Sequence, residues 1–180
     1  MSADTNNQDL SHPVTDADHR QGPDDAPVTV VMYGDYECPE TRAAHPVLQR
    51  LRARFGDELR FVFRHFPRTD VHPNARRAAV VAEAAGEQGR FWDTHDALME
   101  HSGPLDDAAL LHIASGAGVP EDAFDDPADA MLPSVARIDD HVVTGRRAGV
   151  DETPTIFING LRHRGSYDER TLQAAIDLAR

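Results

Sequence analysis

The run Val28 to Tyr33, VTVVMY, limits the fold more than any other stretch of the chain. It is almost unbroken in apolar and β-branched residues, so it reads as a short strand covered on both faces. A strand of that kind sits inside a sheet with helices on either side. Gly34 and Asp35 break the run, and Cys38-Pro39 then opens a helical pattern in which Ala43, Val47, Leu48 and Leu51 share one stripe. Pro39 suits the first helical position, where its missing N–H costs nothing, and Pro46 predicts a kink within the helix.

The remainder extends this frame. Leu59 to Phe66, LRFVFRHF, reads as a second strand closed by Pro67, and the intervening helix predicts parallel pairing with a right-handed crossover. From about residue 73 to 149 the periodicity is helical throughout, with a last long helix broken or started near Pro133. TPTIFING then gives a strand ending in an Asn-Gly turn, LRHRG a short antiparallel return, and DERTLQAAIDLA a closing amphipathic helix with an acidic first turn. Residues 1–26 are polar, acidic and dotted with Pro and Gly, so they are expected as an extended N-terminal arm ahead of one domain over 27–180. The fold class is α/β: a small mixed sheet flanked by helices.

Charge and residue usage remove several function classes. With 31 acidic against 18 basic residues the formal charge is −13, which disfavours phosphate backbones and anionic membrane surfaces as partners. No window has the apolar length of a membrane span, and the N-terminus has neither the basic start nor the apolar core of a secretory signal. A cytoplasmic location is expected, and a single cysteine, which allows no internal disulfide, fits a reducing compartment. The chain has no lysine for a Schiff base, no Gly-rich phosphate loop and no serine elbow. Its 10 histidines show no H-x-x-x-H, H-E-x-x-H or Cys/His cluster, so no metal ligands are expected. His65 and His72 read as loop-packing residues, His45 as cover for apolar surface, Asp35 and Glu37 as solvated loop acids, and Phe91 and Trp92 as core of the helical block.

Cys38 is the remaining candidate for chemistry. At a helix N-terminus, unpaired N–H groups and the positive end of the dipole stabilise a thiolate, which makes the sulfur a nucleophile; the plainer alternative is a small buried hydrophobe. The segments DHRQGPDDAPVTVVMYGDYECP, VFRHFP, HPNARRAAVVAEAAGEQGRFWDTHDALM and GVDETPTIFINGLRHRG occur in this order and resemble the DsbA-like branch of the thioredoxin superfamily. They are most similar to the cytoplasmic type found fused to sodium/proton antiporters. The resemblance implies a thioredoxin fold whose helical insertion is the block at about 73–149. It also implies that Thr153-Pro154 is a cis-proline loop facing Cys38, with Pro39, Glu40, Thr153 and Pro154 at the substrate-binding edge.

Two positions depart from the family pattern. Members read C-P-x-C where this chain has Cys38-Pro39-Glu40-Thr41, and close relatives carry a glutamate where this chain has Met32. Both losses remove parts used in dithiol exchange. The expectation is a thiol-disulfide oxidoreductase working through one cysteine, with Thr41 as a hydrogen-bond partner of the sulfur. Protein or peptide thiols and disulfides, or glutathione, are the expected partners; no cofactor is needed beyond glutathione as co-substrate, the outside thiol that resolves mixed disulfides. The alternatives are a redox-inactive peptide- or protein-binding module and, more weakly, a glutathione-dependent transferase or isomerase.

Overall fold

The computed structural model describes residues 9–120 and 133–180. Five strands form one sheet: β1 (His19–Gln21), β2 (Val28–Gly34), β3 (Leu59–His65), β4 (Thr155–Ile158) and β5 (Leu161–Arg162), in spatial order β1-β3-β2-β4-β5. β2 and β3 are parallel, as their joining helix requires, and the other pairings are antiparallel. Helix α1 (Pro39–Phe55) connects β2 to β3 through a single 3₁₀ turn. The insertion between β3 and β4 comprises α2 (Ala75–Glu87), α3 (Phe91–Glu100), α4 (Asp107–Gly116) and α5 (Pro133–Arg147), and α6 (Glu169–Ala179) closes the chain. Helix α5 begins at Pro133; the stretch just before it lies outside the described residues. No helix among the described residues is long and apolar enough to cross a membrane.

The continuous apolar run in β2 has its reason in the layers on both sides. Because side chains alternate across the pleat, Val28, Val30 and Met32 face one core with Phe61, Phe63 and Ile156, covered by Leu48 and Leu51 of α1 and Leu172 and Ile176 of α6. Val31 and Tyr33 face the other core with Val62 and Phe157, covered by Val142 of α5 together with Ala148, Val150, Leu10 and Val14. Gly145 lets α5 approach closely: a methyl group there would come within 2.9 Å of the Tyr33 ring.

Residues 9–26, the described part of the stretch read from sequence as an arm, lie against the domain. β1 adds to the sheet beside β3, and Arg64, fully buried at the end of β3, fixes the segment before it. Its guanidinium donates to both carboxylate oxygens of Asp18 (2.8 and 3.0 Å), to the carbonyls of His12 and Pro13, and to the Tyr33 hydroxyl, each at 3.0 Å. Every direction of the fork finds an acceptor, which is what a buried guanidinium needs. Beside this pair His141 lies 3.6 Å from Asp18 and accepts the His65 N–H. Across the sheet edge, buried Glu83 binds His19 and His65 at 2.9 Å each and Arg137 at 2.5 Å.

Burial holds His141 neutral, with its pKa lowered to about 4 against the favourable Asp18 contact. An unfolded chain takes up that proton near pH 6.5, so the native state loses stability as pH falls from about 6.5 to about 4, by about 3 kcal/mol for this one group. Urea unfolding across that window is expected to show the loss, and His141→Gln, which keeps an acceptor for the His65 N–H, is expected to reduce it.

Candidate active site

The site forms where β2 ends. Gly34 is required there by a close approach: a Cβ would lie 2.6 Å from the Phe63 ring and 2.9 Å from the Thr41 methyl group. The loop that follows is clamped by buried Asp35, whose carboxylate accepts from the backbone N–H groups of Glu37 and Arg68 and pairs with His72 Nδ1, each at 2.8 Å. Glu37 in turn accepts from the Asn74 backbone N–H at 2.6 Å. These two acids, expected in solvent, are structural fasteners of the loop. An acidic loop residue gives no sequence signal of the backbone donors that fold around it.

Cys38 is the N-cap of α1, in extended conformation, and Pro39 occupies the first helical turn. The Cys38 carbonyl accepts the Arg42 N–H at 3.0 Å, the first bond of the helix. Only 4% of Cys38 is exposed. Its sulfur lies 3.1 Å from the Thr153 carbonyl oxygen and 3.3 Å from Glu40 Oε2, two acceptors for the single S–H. The exposed Glu40 carboxyl is held below the usual carboxylate range, first by its own backbone N–H and then by the Cys38 thiol. Thr153 precedes Pro154 through a cis peptide bond, and the Pro154 carbonyl accepts from the Tyr167 hydroxyl at 2.8 Å. Tyr167, unremarkable in the sequence, thereby ties the loop opposite the thiol to the approach to α6.

The residues singled out from sequence do not all converge. Cys38, Glu40, Thr153 and Pro154 meet in one place. Thr41 is fully buried one turn along, and its hydroxyl accepts from the Asp35 N–H at 3.5 Å, so its hydrogen bond goes to the loop backbone. Arg42 points away from the sulfur, donating to the carbonyls of Met99 and Gly103 at 3.2 Å. Met32 lies wholly within the apolar core alongside Tyr36 and Phe63, so no carboxylate occupies that position. His45 is buried, and it faces His95 and Asp96.

Comparison with known proteins agrees with the fold. The family model described as Thioredoxin matches residues 14–178. The chain is 46% identical over 172 residues to a Na(+)/H(+) antiporter NhaA 1 of Salinispora arenicola, covering 95% of this chain and 26% of that protein. It is 39% identical over 168 residues to the Na(+)/H(+) antiporter NhaA of Nitrosospira multiformis, covering 93% of this chain and 27% of that one. The chain thus spans about a quarter of the length of these curated relatives. Among solved structures, a thioredoxin-like oxidoreductase from Silicibacter pomeroyi superposes with a TM-score of 0.80 at 29% identity, covering 92% of this chain and 94% of that one. BdbD from Bacillus subtilis superposes with a TM-score of 0.80 at 22% identity, covering 97% and 98%. The chain belongs to the thioredoxin family, carries a single cysteine, and is homologous to a region of NhaA-type antiporters.

Proposed function

We propose that the domain exchanges thiols and disulfides through Cys38 alone, in the cytoplasm, with an external thiol such as glutathione completing each cycle. The observation that carries this reading is the Cys38 sulfur at the N-cap of α1, 3.1 Å from the Thr153 carbonyl of the cis-proline loop. The Cys38 thiolate attacks a substrate disulfide, forming a mixed disulfide and releasing one substrate thiolate. A glutathione thiolate then attacks the substrate sulfur of that mixed disulfide and restores Cys38. No second cysteine stands in the chain to do this from within. In this role the Thr153 backbone presents a hydrogen-bonding edge to an extended peptide or a glutathione backbone, and Pro39 and Glu40 line the opposite side. The Thr41 hydroxyl holds the Asp35–Cys38 loop, acting on the sulfur through the backbone.

One observation favours a second reading, a binding module that no longer turns over. Cys38 is nearly buried, and its two hydrogen-bonding contacts are both to acceptors. The two readings separate on incubation with oxidised glutathione. The exchange reading expects a single glutathione adduct by intact mass, absent in Cys38→Ser and removed by reduced glutathione. A thiol left unmodified in the folded chain, yet modified once the chain is unfolded, would reject it in favour of the binding module.

The missing resolving thiol can also be put back. Thr41 lies one helical turn after Cys38 against the same loop. Thr41→Cys is expected to form an intramolecular disulfide under mild oxidation and then to oxidise a reduced model peptide with no added glutathione, whereas the native chain should require oxidised glutathione as the electron acceptor. A double-cysteine variant that stays reduced under those conditions would show that positions 38 and 41 do not stand within disulfide reach.

A further inference from the structure

Five buried side-chain polar atoms lack a hydrogen-bond partner among the described residues: Gln21 Oε1, His45 Nε2, His65 Nδ1, Thr94 Oγ1 and His95 Nε2. Three of them belong to residues that line one small cavity, of about 10 Å³, between α1, α3 and β1: Gln21, His45 and His95. An unpaired buried polar atom is costly, so three residues carrying one around a single cavity mark it as a candidate binding site. Asp96 lines the same cavity, and its Oδ1 lies 3.4 Å from His45 Nε2. One ring nitrogen from each histidine and one Asp96 oxygen lie within 4.8 Å of one another.

We propose that His45, His95 and Asp96 form a binding site for a divalent transition-metal ion, of which Zn²⁺ is the best match. Two imidazoles and one carboxylate are a borderline donor set, which selects zinc and its neighbours over calcium or magnesium. In a tetrahedral zinc site with bonds of about 2.0–2.1 Å, neighbouring donor atoms stand roughly 3.3 Å apart, close to the 3.4 Å between His45 and Asp96. The second shell is also present. The Tyr36 hydroxyl lies 3.0 Å from His95 Nδ1, so an Nδ1–H donated to the phenol oxygen leaves the Nε2 lone pair free for a metal. Glu100 Oε1, 3.7 Å from His45 Nε2, stands where a fourth ligand or a water-bridging carboxylate would sit.

The site lies apart from the thiol chemistry: Cys38 contributes no ligand, and the exchange mechanism uses neither histidine.

The test is Zn²⁺ binding to the full chain after chelator treatment, read by competition with a chromophoric chelator, with Co²⁺ as a spectroscopic reporter of tetrahedral nitrogen and oxygen ligation. One equivalent is expected to bind and to raise the thermal midpoint. Asp96→Asn and His45→Gln are expected to weaken binding by roughly tenfold or more, while Cys38→Ser leaves it unchanged. Asp96 is partly exposed, so its variant keeps the test valid even if His45→Gln fails to fold. Absence of stoichiometric binding, as with a cavity that holds only water, overturns the proposal. Undiminished affinity in Asp96→Asn, or loss of the site in Cys38→Ser, overturns it equally.

Discussion

The geometry of the thiol site depends on the register of β2 between its two neighbours. Tyr33 pairs with Thr155 across the antiparallel side and with Arg64 across the parallel side. Those pairings bring the end of β2 and the start of β4 to the same edge of the sheet. The loop leaving β2 must then present Cys38 where the chain entering β4 presents Thr153. A slip by one residue would turn Val30, Met32, Ile156 and Ile158 out of one core and drive Val31, Tyr33 and Phe157 out of the other. Both faces are covered, so neither error is tolerated. The 3.1 Å contact between sulfur and carbonyl is therefore a consequence of how the core packs.

This dependence explains what could be read from the sequence. β2, α1, β3, β4 and α6 each carry their own periodicity, and the observed limits Val28–Gly34, Pro39–Phe55, Leu59–His65, Thr155–Ile158 and Glu169–Ala179 follow it closely. β1 carries none. His19, Arg20 and Gln21 are polar and half-buried, and they form a strand only because the edge of β3 is available to them and Arg64 holds the chain ahead of them. The Thr41 hydroxyl and the Tyr167 phenol were equally illegible, since each depends on a backbone group brought close by tertiary structure. Likewise, His45 and His95 fall in separate helices, and a spacing search along one segment cannot pair them.

Buried charge follows a different logic from the apolar core. Arg64 with Asp18, and Glu83 with His65, are removed from water at considerable cost. Apolar replacements of equal volume could match their contribution to stability. What the charges supply is placement. The Arg64 fork accepts only a carboxylate and carbonyls arranged around it, so the segment from His12 to Asp18 has one way to lie on the domain. Removing one partner would leave the other charged and unpaired in the interior, and for that reason such a cluster behaves as a unit.

Tyr36 connects the Cys38 loop with the cluster of His45, His95 and Asp96. Its position in the chain belongs to the loop that Asp35 clamps and that ends in Cys38, while its ring lies in the core against Phe63 and His95. Its hydroxyl reaches His95 Nδ1, and burial keeps that phenol protonated well beyond its ordinary range, so the contact is a stable feature of the interior. The ring cannot shift without disturbing either the aromatic packing or the loop backbone. Whatever fixes the orientation of His95 thus fixes Tyr36, and with it the approach of the chain to Cys38. In a domain that lacks the second thiol, rigidity of that approach is what remains to hold the sulfur against Thr153.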